Sequence, residues 1–159
     1  MEAYIDLHGA TAKLRSDSEG FLNLIKSNYE PFLKTDILDI NLNIYFSKEA
    51  GKLALLKKKS MPRLSEGLHQ SEDSLFWENE FGFVTYIYCK NFEKWEIYGY
   101  HFDLDNRTQN EEILKNYTRS MRWMVHFPLF SLLKKFHSMR LVHASALSKD
   151  SKALIFAGL

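Results

Sequence analysis

The clearest pattern along the chain is a strict alternation: Leu38, Ile40, Leu42, Ile44 and Phe46 are apolar, with Asp39, Asn41, Asn43 and Tyr45 between them. A period of two puts one side of a strand in a core and the other in water. Upstream, Tyr4-Ile5-Asp6-Leu7 and Ala10-Thr11-Ala12-Lys13-Leu14 flank His8-Gly9. They predict a strand pair around a turn, or one strand interrupted at Gly9. Ser16 to Ser18 then offer capping oxygens, and Phe21, Leu22, Leu24, Ile25 and Tyr29 recur at helical spacing until Pro31. A short amphipathic helix is expected there.

Residues 47 to 73 hold no firm period; they collect lysines, Pro62 and Gly67, while Leu53, Leu55, Leu56 and Leu64 imply that part of the stretch docks. A loop with a possible short helix is the expectation. Aromatic and β-branched runs follow at Leu75–Trp77, Phe83–Cys89 and Trp95–Phe102, separated by Gly82 and by Lys90-Asn91. They predict an antiparallel meander. Ile113, Leu114, Tyr117, Met121, Met124, Val125, Leu129, Leu132, Leu133 and Phe136 keep three- and four-residue steps, so a helix is expected, kinked or restarted at Pro128.

The last two runs, Leu141–Leu147 and Ala153–Ala157, are separated by the polar stretch Ser148 to Lys152. They are expected as parallel-sheet strands, which need cover on both faces. Together the elements predict an α+β protein: a small mixed domain with an antiparallel meander over residues 1–108, then a helix and the opening strands of a second unit over 109–159.

Composition narrows the class. With 45% apolar and 26% charged residues the chain is suited to a packed core and not to disorder. Its 21 basic and 20 acidic side chains nearly cancel, so no extended field favours nucleic acid or an anionic membrane. The triplet Lys57, Lys58 and Lys59 is explained by a solvated loop or helix end. Cys89 is the single cysteine, which rules out an intrachain disulfide and fits a reducing, cytoplasmic setting. No apolar run approaches the roughly 18 residues of a membrane span.

Most chemistry-bearing residue types lack a pattern. His101, His126 and His137 are too scattered for a recognisable metal set, and neither HExxH nor a zinc cysteine spacing occurs. Ser145 and His143 lie two apart on one strand, but without the third, orienting group that a hydrolase triad uses. Trp77, Phe83, Tyr86, Tyr88, Trp95, Tyr98 and Tyr100 suit core packing and cross-strand pairing better than a stacking platform, since no basic surround accompanies them. His143 taken by itself reads as a core histidine bonded to backbone.

One segment departs from this. Arg140-Leu141-Val142-His143-Ala144-Ser145-Ala146-Leu147, a turn, and Ala153-Leu154-Ile155-Phe156-Ala157-Gly158 follow one another at the end of the chain. A strand running straight into Gly is how a phosphate-binding loop begins, because Gly lets backbone amides face the anion. The segment resembles the approach to that loop in the HPr kinase and phosphoenolpyruvate-carboxykinase-like family. There a histidine-bearing strand leads through a short turn into an apolar strand and the Gly-rich loop. His143 stands at the family's histidine position and Gly158 at the first loop glycine, with Leu159 next to it.

The resemblance, specific over about the last twenty residues, implies a mixed twisted sheet carrying the loop of a phosphoenolpyruvate-carboxykinase-like nucleotide-binding domain. It implies ATP held at Gly158 and Leu159, Mg2+ bridging the phosphates to an acidic residue further along, and His143 in the active site. The partners would be the nucleotide and a phosphoryl acceptor, a protein or a small molecule. The remaining positions of G-x-x-x-x-G-K-[ST] would fall beyond Leu159, so the chain is expected to be an amino-terminal fragment that does not catalyse alone. The competing expectation is a non-catalytic binding or regulatory module that uses an aromatic sheet surface.

Overall fold

The structure is a computed structural model that describes residues 1–79, 82–90, 94–102, 110–137, 144–149 and 152–157. It is a mixed α/β protein built on one nine-stranded sheet, in which all neighbours are antiparallel except around the fourth strand.

The first two strands, β1 (Glu2–Leu7) and β2 (Ala10–Ser16), form a hairpin closed at Leu7↔Ala10. His8 and Gly9 both take positive φ there, 50° and 90°, as a two-residue turn with the right strand twist requires. The strand-pair alternative is therefore the observed one. Helix α1 (Glu19–Tyr29) follows, capped by Ser18, whose Oγ accepts from the Phe21 amide at 3.2 Å. A 3-10 turn carrying Pro31 and the two-residue edge strand β3 (Leu33–Lys34) lead on to β4 (Leu42–Phe46).

The alternation from Leu38 overestimates β4. Leu38 is fully exposed, and the strand begins only at Leu42. The ladder to the neighbouring strand starts late: β2 meets β4 first at Ala12↔Leu42, although β2 itself begins at Ala10. Polar contacts hold the preceding residues instead, with Thr11 Oγ1 donating to the Asp39 carbonyl at 2.7 Å and the Thr11 amide donating to Asn41 Oδ1 at 3.2 Å.

The stretch expected as a loop with a possible short helix does hold a helix. Residues 48–58 form helix α2 (Lys48–Lys58), started by Ser47, which accepts from the Ala50 amide at 3.1 Å. Its buried face is Ala50, Gly51 and Ala54, while Leu56 stays largely exposed. Lys57 and Lys58 close the helix, where positive charge suits its carboxyl end, and Lys58 pairs with Glu78. Two three-residue strands, β5 (Arg63–Ser65) and β6 (Leu68–Gln70), then build one sheet edge.

The meander is found where the sequence puts it, as β7 (Ser74–Glu78), β8 (Phe83–Lys90) and β9 (Lys94–His101). The strand order is β3-β1-β2-β4-β9-β8-β7-β6-β5, with β4 lying parallel to both β2 and β9. The helical run comes next as α3 (Asn110–Met121), five residues of π-helix at Arg122–His126, and α4 (Phe127–His137). Pro128 has no amide to donate, and the Phe127 amide just before it reaches back to the Arg122 carbonyl. The break expected at Pro128 is thus taken up as a widened turn immediately before it.

Register decides which side chains meet. Ile5↔Ala12↔Leu42 and Leu14↔Ile44↔Ile97 put one sheet face under α1 and the helical run, with Phe21, Ile25, Met121, Met124, Val125, Leu129 and Leu132 buried against it. The run after residue 108 therefore shares this core. At its centre Gly99 receives Met124: a Cβ there would lie 2.7 Å from Met124 Sδ and 2.8 Å from the Val84 carbonyl oxygen. On the opposite face α2 packs on β8 and β9 over a smaller cluster of Ala54, Phe76, Val84 and Tyr86.

The last two strands, β10 (Ala144–Lys149) and β11 (Lys152–Ala157), pair with each other from Ala144↔Ala157 to Lys149↔Lys152. They are antiparallel, which corrects the expectation of parallel strands around Ala146 and Ile155: two residues between strands suffice for a hairpin but not for a parallel crossover.

Candidate functional site

The residues that the sequence assigns to chemistry, His143, Gly158 and Leu159, lie outside the described residues. The hairpin between them is described, and its first cross-strand pair is Ala144 opposite Ala157. In the chain His143 directly precedes one member of that pair and Gly158 directly follows the other.

Elsewhere the histidines are dispersed. His8 packs edge-on to Phe32, His69 lies with Nδ1 3.2 Å from the Met61 carbonyl, and His101 is buried beside Phe83. His126 meets the Tyr29 ring edge-on at 5.5 Å. Burial, and then the charge of Arg122, hold its imidazole below the ordinary histidine range. Among the described residues no three His, Cys, Asp or Glu side chains are placed to hold a metal ion.

The described part of the molecule does organise one continuous row of side chains along a sheet face. Strand pairing sets Glu2, Arg15, Tyr45, Tyr98, Tyr86, Phe76 and His69 in a single row across seven neighbouring strands. Each is directly opposite the next, so all share one face. Neighbours along the row touch through charge and rings. Arg15 Nε donates to Glu2 Oε1 at 2.8 Å, and the Arg15 guanidinium lies 5.7 Å from the Tyr45 ring centroid. Tyr45 and Tyr98 stack at 4.8 Å with 8° between their planes.

Helix α2 covers the Phe76 and Tyr86 end of this row, and the Glu2, Arg15 and Tyr45 end borders a cleft. This open cleft of about 250 Å³ is lined by Met1, Glu2, Arg15, Ser16, Asp17, Tyr45 and Ser47. Arg15, Tyr4 and Lys13 all bond to Glu2, which holds its carboxyl down at about 2. Burial, with the bond from its hydroxyl to Glu96 at 3.0 Å, pushes the Tyr98 phenol upward.

The two serine hydroxyls of the cleft are already engaged. Ser47 is engaged as the α2 cap, Ser16 Oγ bonds the backbone of Ser18, and no histidine lines the cleft. A hydroxyl nucleophile needs a base within hydrogen-bond reach. The sequence did not single out Glu2, Arg15 or Tyr45: they are ordinary polar positions of alternating strands until register sets them side by side. Of the seven aromatics considered for a platform, Phe83 and Tyr86 are buried, and the others are half-buried against the two apolar clusters.

Compared with protein-family models, curated proteins and solved structures, the chain matches none of them. No helix among the described residues is long and apolar enough to cross a membrane.

Proposed function

We propose that this chain carries the small domain and the phosphate-loop approach of an ATP-dependent kinase related to HPr kinase. The observation that carries the reading is the order of residues from Arg140 to Leu159. A histidine-bearing segment, a polar turn and an apolar strand run directly into Gly158. The described strands β10 and β11 lie between His143 and Gly158 in the chain.

On this reading the amides from Gly158 onward begin the cradle for the ATP phosphates, in the way strand-to-loop glycines bind anions. His143 orients the acceptor or offsets charge on the transferred group, since an imidazole changes protonation near neutral pH. Phosphoryl transfer depends mainly on such positioning and charge stabilisation. The family's Mg2+ would neutralise phosphate charge when bound, and the described residues offer no three-ligand set for it. The acidic ligand, the loop lysine and the loop hydroxyl all fall after Leu159 in this scheme.

The coding sequence beyond codon 159 tests the proposal. An in-frame G-K-[ST] about five to seven residues after Gly158 supports it. A continuation without that triplet overturns it.

A second reading, a non-catalytic binding module, is favoured by a different observation. Glu2, Arg15 and Tyr45 of the row line an open cleft, and tyrosine and arginine are among the side chains that dominate binding surfaces. A stop codon directly after Leu159, with a stably folded product, would select this reading over the kinase.

A further inference from the structure

We draw no further inference here: the strongest candidate, the exposed aromatic ridge that Trp123 and Phe127 form beside Trp77 on the helical run over the sheet, carries nothing because no observation in the structure shows what covers it.

Discussion

The hydroxyls of Ser18 and Tyr117 lie 2.6 Å apart, joining the cap of α1 to the middle of α3 across 99 positions of sequence. The same Tyr117 ring meets Phe21 and Phe46, which stack on each other at 3.9 Å. The helical run is thus bonded to the sheet domain as well as packed on it. Tyr117→Phe removes the hydroxyl and keeps the ring, so it should destabilise the fold by about 1 kcal/mol. Ser18→Ala also removes the helix cap, at a cost of about 1–2 kcal/mol. Because the two hydroxyls share one bond, the double variant should lose less than the sum in urea unfolding; strict additivity would show that the bond contributes nothing.

At Gly99 the sheet backbone and the helical run meet closely on the buried face. Gly99→Ala drives a methyl into Met124 Sδ and the Val84 carbonyl, for an expected loss of about 1–3 kcal/mol. Shortening Met124 in the same chain should recover only part of that, because Val84 contributes backbone, which cannot retreat as a side chain can. Thermal unfolding of both variants measures it, and a neutral Gly99→Ala would contradict the packing.

Stacking between Tyr45 and Tyr98 should register as coupling. A double-mutant cycle with alanine at each position is expected to give about 0.5–1.5 kcal/mol of interaction, the usual range for a ring pair beyond its buried area. A cycle that closes to zero would remove the row's structural basis.

Among the described residues, two groups make stability depend on pH below neutrality. His126 binds its proton less readily folded than unfolded, since burial and Arg122 oppose the charge. Its contribution is therefore complete above the unfolded value near 6.5 and declines as pH falls below it. Glu2 has the same sign at lower pH: its folded value is about 2 against 4.5, so its contribution is present above 4.5 and fades as pH falls toward 2. Replacing His126 with Gln should flatten the unfolding midpoint below pH 6.5 while leaving the acid limb governed by Glu2. An unchanged profile for that variant would show that His126 does not titrate as described.

Much of the architecture is legible where local pattern and tertiary partner agree. Alternation marks β1, β2 and β4, and aromatic runs mark β7 to β9. Helical spacing marks α1 and the long run, and Pro128 marks its break. Alternation alone does not supply a neighbouring strand, which is why Leu38 to Asn41 mislead. Helix α2 escapes a search for apolar spacing because Ala50, Gly51 and Ala54 form its buried face, and small side chains carry little signal. The insertion of β4 between β2 and β9 is a long-range pairing, and the Glu2-to-His69 row exists only once that register is set. The kinase-type reading draws on a different kind of signal, residue order near Gly158, which periodicity cannot supply.

Titration of Mg2+-ATP against the chain extended by its own downstream coding sequence tests the central claim most directly, with the 159-residue chain alongside. The extended protein should bind saturably, weaken when the loop lysine is replaced and respond to His143→Ala, while the shorter chain should not saturate. An extended protein that folds and binds no nucleotide, or binds equally without the lysine, would contradict the account.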